Sequence, residues 1–190
     1  MANRDAPAGF QVTRHVAGGE QNRFNRYHIA DALAASIFRG DLVIPVNTAK
    51  NITIQAAVAN RVIGVFDGCF YIDPNGEVQF RPRWISGTSI KSGTSVDANV
   101  YDDPKSLFEV QASGDLQPAD IGALANPTAA GSGSTQTGQS AMELDSATIG
   151  SGAVLKIMDL SSKVDNAYGE NAKVIVALAL HYLGGAMTAI

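Results

Sequence analysis

Cysteine, histidine and charge are all scarce in this chain, and each scarcity closes a route to function. Of 190 residues, one is cysteine, one is tryptophan and three are histidine. A lone Cys69 allows no intramolecular disulfide, and its apolar setting (Val65, Phe66, Phe70, Tyr71) marks it as a buried small hydrophobe. His15, His28 and His181 have no second histidine or carboxylate at a spacing typical of metal sites, so each is expected to be structural. No GxSxG, GxGxxG or GxxxxGK[ST] pattern occurs. No catalytic, cofactor-binding or metal-binding residue is therefore assigned, and no cofactor is expected. Charged residues make up 17% of the chain, below the roughly one quarter usual in soluble domains. A net charge of −4 argues against a nucleic-acid partner, which needs clustered Lys and Arg. The longest apolar run, Val174 to Leu180, is too short to span a bilayer, so no membrane partner is expected. The opening MANRDAPAGF has no apolar core of a secretory signal, so synthesis in the cytoplasm is expected.

What the chain does have is rhythm. From Ile37 to Phe80, short apolar runs alternate with turn signals at Gly40-Asp41, Asn47 to Asn51, Asp67-Gly68 and Asp73-Pro74-Asn75-Gly76. That is the pattern of antiparallel sheet. Strands are expected at about 42–46, 52–55, 61–72 and 78–84. The Asp-Pro-Asn-Gly turn predicts a hairpin between 65–72 and 77–84, because proline presets one turn angle and Asn-Gly tolerates positive φ. Residues 98–101 and 107–111 read as a second hairpin joined through Asp102-Asp103-Pro104-Lys105. Strand character returns at 141–144, 153–160 and 173–183. Residues 29–38 fit a short helix or a strand, with strand favoured from Ala35. Residues 86–94 read as a polar loop, and 116–140, with GSGSTQTGQS, as a long exposed one. The fold class is mainly β: a compact antiparallel β-barrel or β-sandwich with an extended N-terminal arm and a long Gly/Ser/Thr-rich loop. The arm is residues 1–28 and the single β-rich body 29–190.

Two clusters stand out as candidates. Arg23-Phe24-Asn25-Arg26-Tyr27 interleaves arginine with aromatics, the residue types enriched at the energetic centres of interfaces. Arg23, Phe24, Arg26 and Tyr27 are thus the candidate contact residues; the alternative has Phe24 and Tyr27 tucked under their own sheet. The arm is mildly basic, with four arginines against Asp5 and Glu20, on an acidic body. Asp102, Asp103 and Glu109 invite a hydrolase or calcium reading, but adjacent aspartates before proline are commonly turn formers, and the DxDxDG calcium pattern is missing.

Several segments carry a resemblance: MANRDAPAGFQVTRH, RFNRY, the stretch from FRGDLV to VIGVFDGC, VYDDPKSLFEVQ and the terminal VDNAYGENAKVIVALALH. Together, and in this order, they resemble the small head decoration or cement proteins of tailed bacteriophages. The resemblance implies a non-enzymatic virion structural protein on the outer surface of an icosahedral capsid. It implies the major capsid protein as partner, bridged across neighbouring subunits, and a homo-oligomer, dimer or trimer. The alternatives are another virion component (tail, neck or fibre-associated), a particle-borne carbohydrate-binding module, and, more distantly, a hydrolase. The last strand, VALALHYL, is more apolar than the alternating strand such proteins suggest, so another subunit is expected to cover it.

Overall fold

Asp73 builds the turn that organises the first half of the chain. Its Oδ1 accepts from the backbone N–H groups of Asn75 (2.9 Å) and Glu77 (3.0 Å), and its own N–H donates to the Glu77 carbonyl (2.9 Å). Gly76 then takes φ +93°, the left-handed step that closes a three-residue hairpin loop. The structure, a computed structural model, describes residues 3–20, 23–29, 35–46, 51–54, 61–128 and 132–186. The turn expected at 47–50, the segment 30–34 and Gln55 lie outside them.

In chain order the first strands are β1 (Gln11–His15), β2 (Asn25–Ile29), β3 (Ile37–Phe38), β4 (Leu42–Pro45) and β5 (Asn51–Ile54). Next come β6 (Gly64–Ile72), β7 (Val78–Arg81), β8 (Arg83–Trp84), β9 (Val96–Tyr101) and β10 (Ser106–Gln111). The rest are β11 (Leu124–Pro127), β12 (Leu144–Asp145), β13 (Leu155–Leu160), β14 (Lys173–Leu178), β15 (Leu180–His181) and β16 (Gly185–Ala186).

Five strands, in the order β4-β5-β2-β9-β6, close into a barrel through the β4–β6 pairs Leu42–Val65 and Val43–Gly64. All its pairings are antiparallel except β2–β5. β7 extends the barrel wall beyond β6. The second layer is an open sheet, β1-β10-β14-β13-β11-β12. The mainly β fold expected from sequence is what the chain adopts.

Period-two alternation divides the cores. Val43 and Phe66 point into the barrel with Ile29, Ile52, Val96, Ala98 and Val100. Their neighbours Leu42 and Val65 point the other way, into the core shared with Phe10, Phe108, Leu155, Val174 and Val176 of the open sheet. β4 and β6 are thus a wall with a core on each side. Fully burying a side chain such as Phe66 or Phe108 contributes about 1.5–3 kcal/mol.

Three expectations are corrected here. The hairpin over 65–84 forms, but only Val78–Arg81 pairs with β6; Trp84 turns away to pair with Ile37. Residues 98–101 and 107–111 are strands without being a hairpin. Asp103 does form a turn, accepting from Lys105 N–H through Oδ1 (2.9 Å) and from Ser106 N–H through its carbonyl (3.0 Å). That turn passes the chain from barrel to open sheet, because β9 already lies between β2 and β6, and β10 between β1 and β14. Third, the 116–140 region is not one exposed loop. Leu116 and Ala125 are fully buried, β11 lies within it, and Ser140 N–H donates to the Arg39 carbonyl at 2.9 Å.

The described parts of 1–28 differ from an extended arm. Phe10 is in the core, β1 pairs with β10, and β2 is a barrel stave, so the boundary at residue 28 falls inside a strand. Even the first described residues are tied down: Asn3 Nδ2 donates to the carbonyls of Ala167 and Glu170, each at 2.8 Å. Alternation in β1 and β2 is too short and polar to show as periodicity.

Candidate functional site

The outer wall formed by β2, β9, β6 and β7 carries an exposed apolar cluster around Val78 and Phe80. Ile29 is buried, so alternation along β2 sends Tyr27 inward with it and leaves Arg26 and His28 outside. Register aligns these with their neighbours. His28 lies opposite Asp97, Asp97 opposite Phe70, and Phe70 opposite Phe80. The Phe70 and Phe80 rings are 4.7 Å apart between centroids. The Arg26 guanidinium sits 5.7 Å from the Phe70 centroid, within cation–π range. His28 Nδ1 is 2.9 Å from Asp97 Oδ1, an ion pair when the imidazole is protonated. Val78 (71% exposed) and Phe80 (51%) complete the patch. An apolar centre with an arginine and a His–Asp pair at its rim has the composition of a protein-docking surface.

Phe80 reaches this face by lying over Gly68. A Cβ on Gly68 would come within 3.0 Å of the Phe80 ring, so glycine is what lets the ring settle against β6.

The four contact residues expected from sequence are not brought onto one surface. Tyr27 packs against the barrel core and donates its hydroxyl to Asp102 Oδ2 at 2.6 Å. Burial foremost, and then that carboxylate, push the Tyr27 phenol well above its usual pKa. Phe24, 46% exposed, lies edge-on to Tyr101 at 6.4 Å, and Arg23 is exposed beside it. Only Arg26 joins the aromatic face. Phe70, Phe80 and Val78 were missed. The Asp-Pro-Asn-Gly turn fixes their register, but apolar residues at alternate strand positions look the same whether they face core or solvent.

The acidic residues are occupied locally. Asp102 accepts from Asn25 Nδ2 and Tyr27, Asp103 holds its turn, and Glu109 accepts from Ser161 Oγ and Lys163 Nζ. Glu109 and Lys163 line a half-open cleft of about 290 Å³ with Thr13, Arg14 and Ile175. No group of three or more His, Cys, Asp or Glu able to hold a metal occurs among the described residues. Burial pushes the Cys69 thiol up to about 12, so it stays protonated, and its Sγ donates to the Arg83 carbonyl. His181, 1% exposed, accepts from Leu183 N–H through Nδ1, and burial lowers its pKa. Trp84 is 4% exposed and offers no stacking face to a sugar. No helix among the described residues is long and apolar enough to cross a membrane.

Comparison with protein-family models, with curated proteins and with solved structures gives no match for this chain.

Proposed function

We propose that this chain is a virion structural protein that decorates and stabilises the outside of an icosahedral phage capsid by bridging major capsid protein subunits. The observation that carries the reading is the exposed aromatic face that Arg26, Phe70, Phe80 and Val78 form across the barrel wall and the β7 strand that extends it. Such a face docks without paying to order a loop, because its residues already sit on paired strands: β2 and β6 within the barrel, and β7 bonded to β6. The resemblance of the quoted segments to head decoration proteins supports that location on the particle. Binding several capsid subunits through a homo-oligomer multiplies a modest single contact.

The test is a cryo-electron map of virions purified from cells that express this chain from its native genome. Density for the barrel on the outer shell at symmetry-related sites, with the Phe80 face against the capsid lattice or a neighbouring copy, is the expected result. Density confined to tail, neck or fibre, or none on the particle, would overturn it.

A further inference from the structure

We propose that β7 is a self-complementary edge through which a second copy of this chain docks, its β7 pairing antiparallel with the first across a two-fold axis. β7 ends its sheet, bonded to β6 alone. The two ends of the open sheet are less available: β1 is flanked by the Arg14–Glu20 bridge, and β12 has two residues.

The register follows from which backbone groups are free. Asp73 and Glu77 face each other as a hydrogen-bonded pair at the hairpin mouth. Hydrogen-bonded pairs recur at every second residue, so Tyr71–Gln79 and Cys69–Arg81 are also such pairs. Val78 and Phe80 fall between them, with their N–H and C=O groups turned away from β6. Ile72, opposite Val78, confirms the phase: its carbonyl accepts from Lys91 N–H on the other side of the strand. No described residue bonds the free groups of Val78 and Phe80.

Only one two-fold register uses all four groups. With Gln79 on the axis, Val78 of each copy exchanges both backbone bonds with Phe80 of the other. Shifting the axis to Phe80 sets Val78 against Pro82, which has no N–H. Shifting it to Val78 leaves Phe80 against Gly76 in the turn. In the Gln79-centred register the side chains match as well. Val78 meets Phe80 on the aromatic face, while Glu77 meets Arg81 on the opposite face, twice by symmetry. An isologous interface requires this reciprocity of i with j and j with i. The five residues Glu-Val-Gln-Phe-Arg supply it. Two aromatic faces then become one continuous surface across the axis.

Sedimentation of the full chain over a concentration series tests the pairing without any particle, so it stands or falls apart from the capsid reading. A reversible dimer is expected, and a monomer at every concentration would overturn the proposal. Val78 is exposed, so Val78→Lys should leave circular dichroism unchanged, and melting unchanged at concentrations where the wild type is monomeric, while weakening the dimer about tenfold or more. Glu77→Arg alone and Arg81→Glu alone should each weaken it similarly, and the double exchange should restore it. A dimer indifferent to all three sinks the idea. Register is read by Gln79→Cys. The two residues would face each other as a non-hydrogen-bonded pair with Cα atoms about 4.5 Å apart, within disulfide reach. An oxidised covalent dimer is expected, and failure to cross-link while the dimer persists overturns this register.

Discussion

The barrel and the open sheet bury their strands in different ways, and the sequences of β9 and β14 show it. β9, VDANVY, sends Val96, Ala98 and Val100 into the barrel, and its other side carries Asp97 and Asn99. β14 instead runs KVIVAL with both sides covered. Val174, Val176 and Leu178 face the shared core, while Ile175 and Ala177 form a small cluster with Leu107 on the far side. Closure gives the barrel one inside and leaves the β2, β9 and distal β6 part of its wall without a second core; β14, central in the open sheet, is buried on both sides. The barrel is therefore where alternation survives and where an outward face is free to carry Arg26, Phe70 and Phe80.

That contrast can be broken at several points. Phe66 in the barrel and Phe108 in the open sheet are both fully buried, so alanine at either should cost about 3–5 kcal/mol. Because β4 and β6 wall both cores, each variant should melt in a single calorimetric transition at lower temperature. Two separable transitions would mean the lobes are independent units.

Asp41 tests the seam where the barrel meets the Gly/Ser segment. It is fully buried, accepting from Ser140 Oγ and from Phe38 N–H at 2.7 Å. Burial nonetheless outweighs these bonds and pushes its carboxyl up from 3.8 to about 6. The folded state therefore holds the proton more tightly than the unfolded state. The resulting stabilisation is full below the unfolded pKa and is lost as pH rises through about 6. This amounts to about 3 kcal/mol. In urea unfolding, the stability of wild type relative to Asp41→Asn should fall by that order between pH 4 and pH 7. A difference that stays flat would show the carboxyl titrates normally.

The smallest expected effect is local to the barrel. Tyr27→Phe removes a bond to the buried Asp102 carboxylate, which keeps Asn25 as donor, and should cost about 1–2 kcal/mol. Hydrogen exchange should quicken most in β2 and β9 and less in β14, whose amides sense only the change in global stability. Equal loosening of both would show that the two layers open together.

Much of the fold was legible because local chemistry determined it. The Asp73–Gly76 hairpin, the strand at β9 and the long β14 run each declare themselves over a few residues. Pairing between distant strands was not legible. The Asp103 turn is correctly read as a turn, yet whether it folds a strand back or hands it to another sheet depends on which edges are already filled. Phe10 and β1 were invisible for the same reason: β10 pairs with Gln11–His15, and Phe10 packs in a core assembled from both layers, all distant in sequence. Of the candidate site, Arg26 was legible as an interface residue type. Its companions Phe70 and Phe80 were not, since only closure of the barrel decides which side of β6 faces out.

The pairing of β2 also sets an order of events. Tyr27 meets Asp102 across 75 residues of chain, and β1 must find β10, which in turn must find β14. On a growing chain, the first two strands emerge long before their neighbours exist. The barrel gains its fifth stave only when β9 is made, and the second layer is completed last of all. Contacts this far apart in sequence are slow to form, so the newly made amino-terminal third spends its early life with open strand edges. Synthesis is thus a stage at which this architecture is exposed to misassembly.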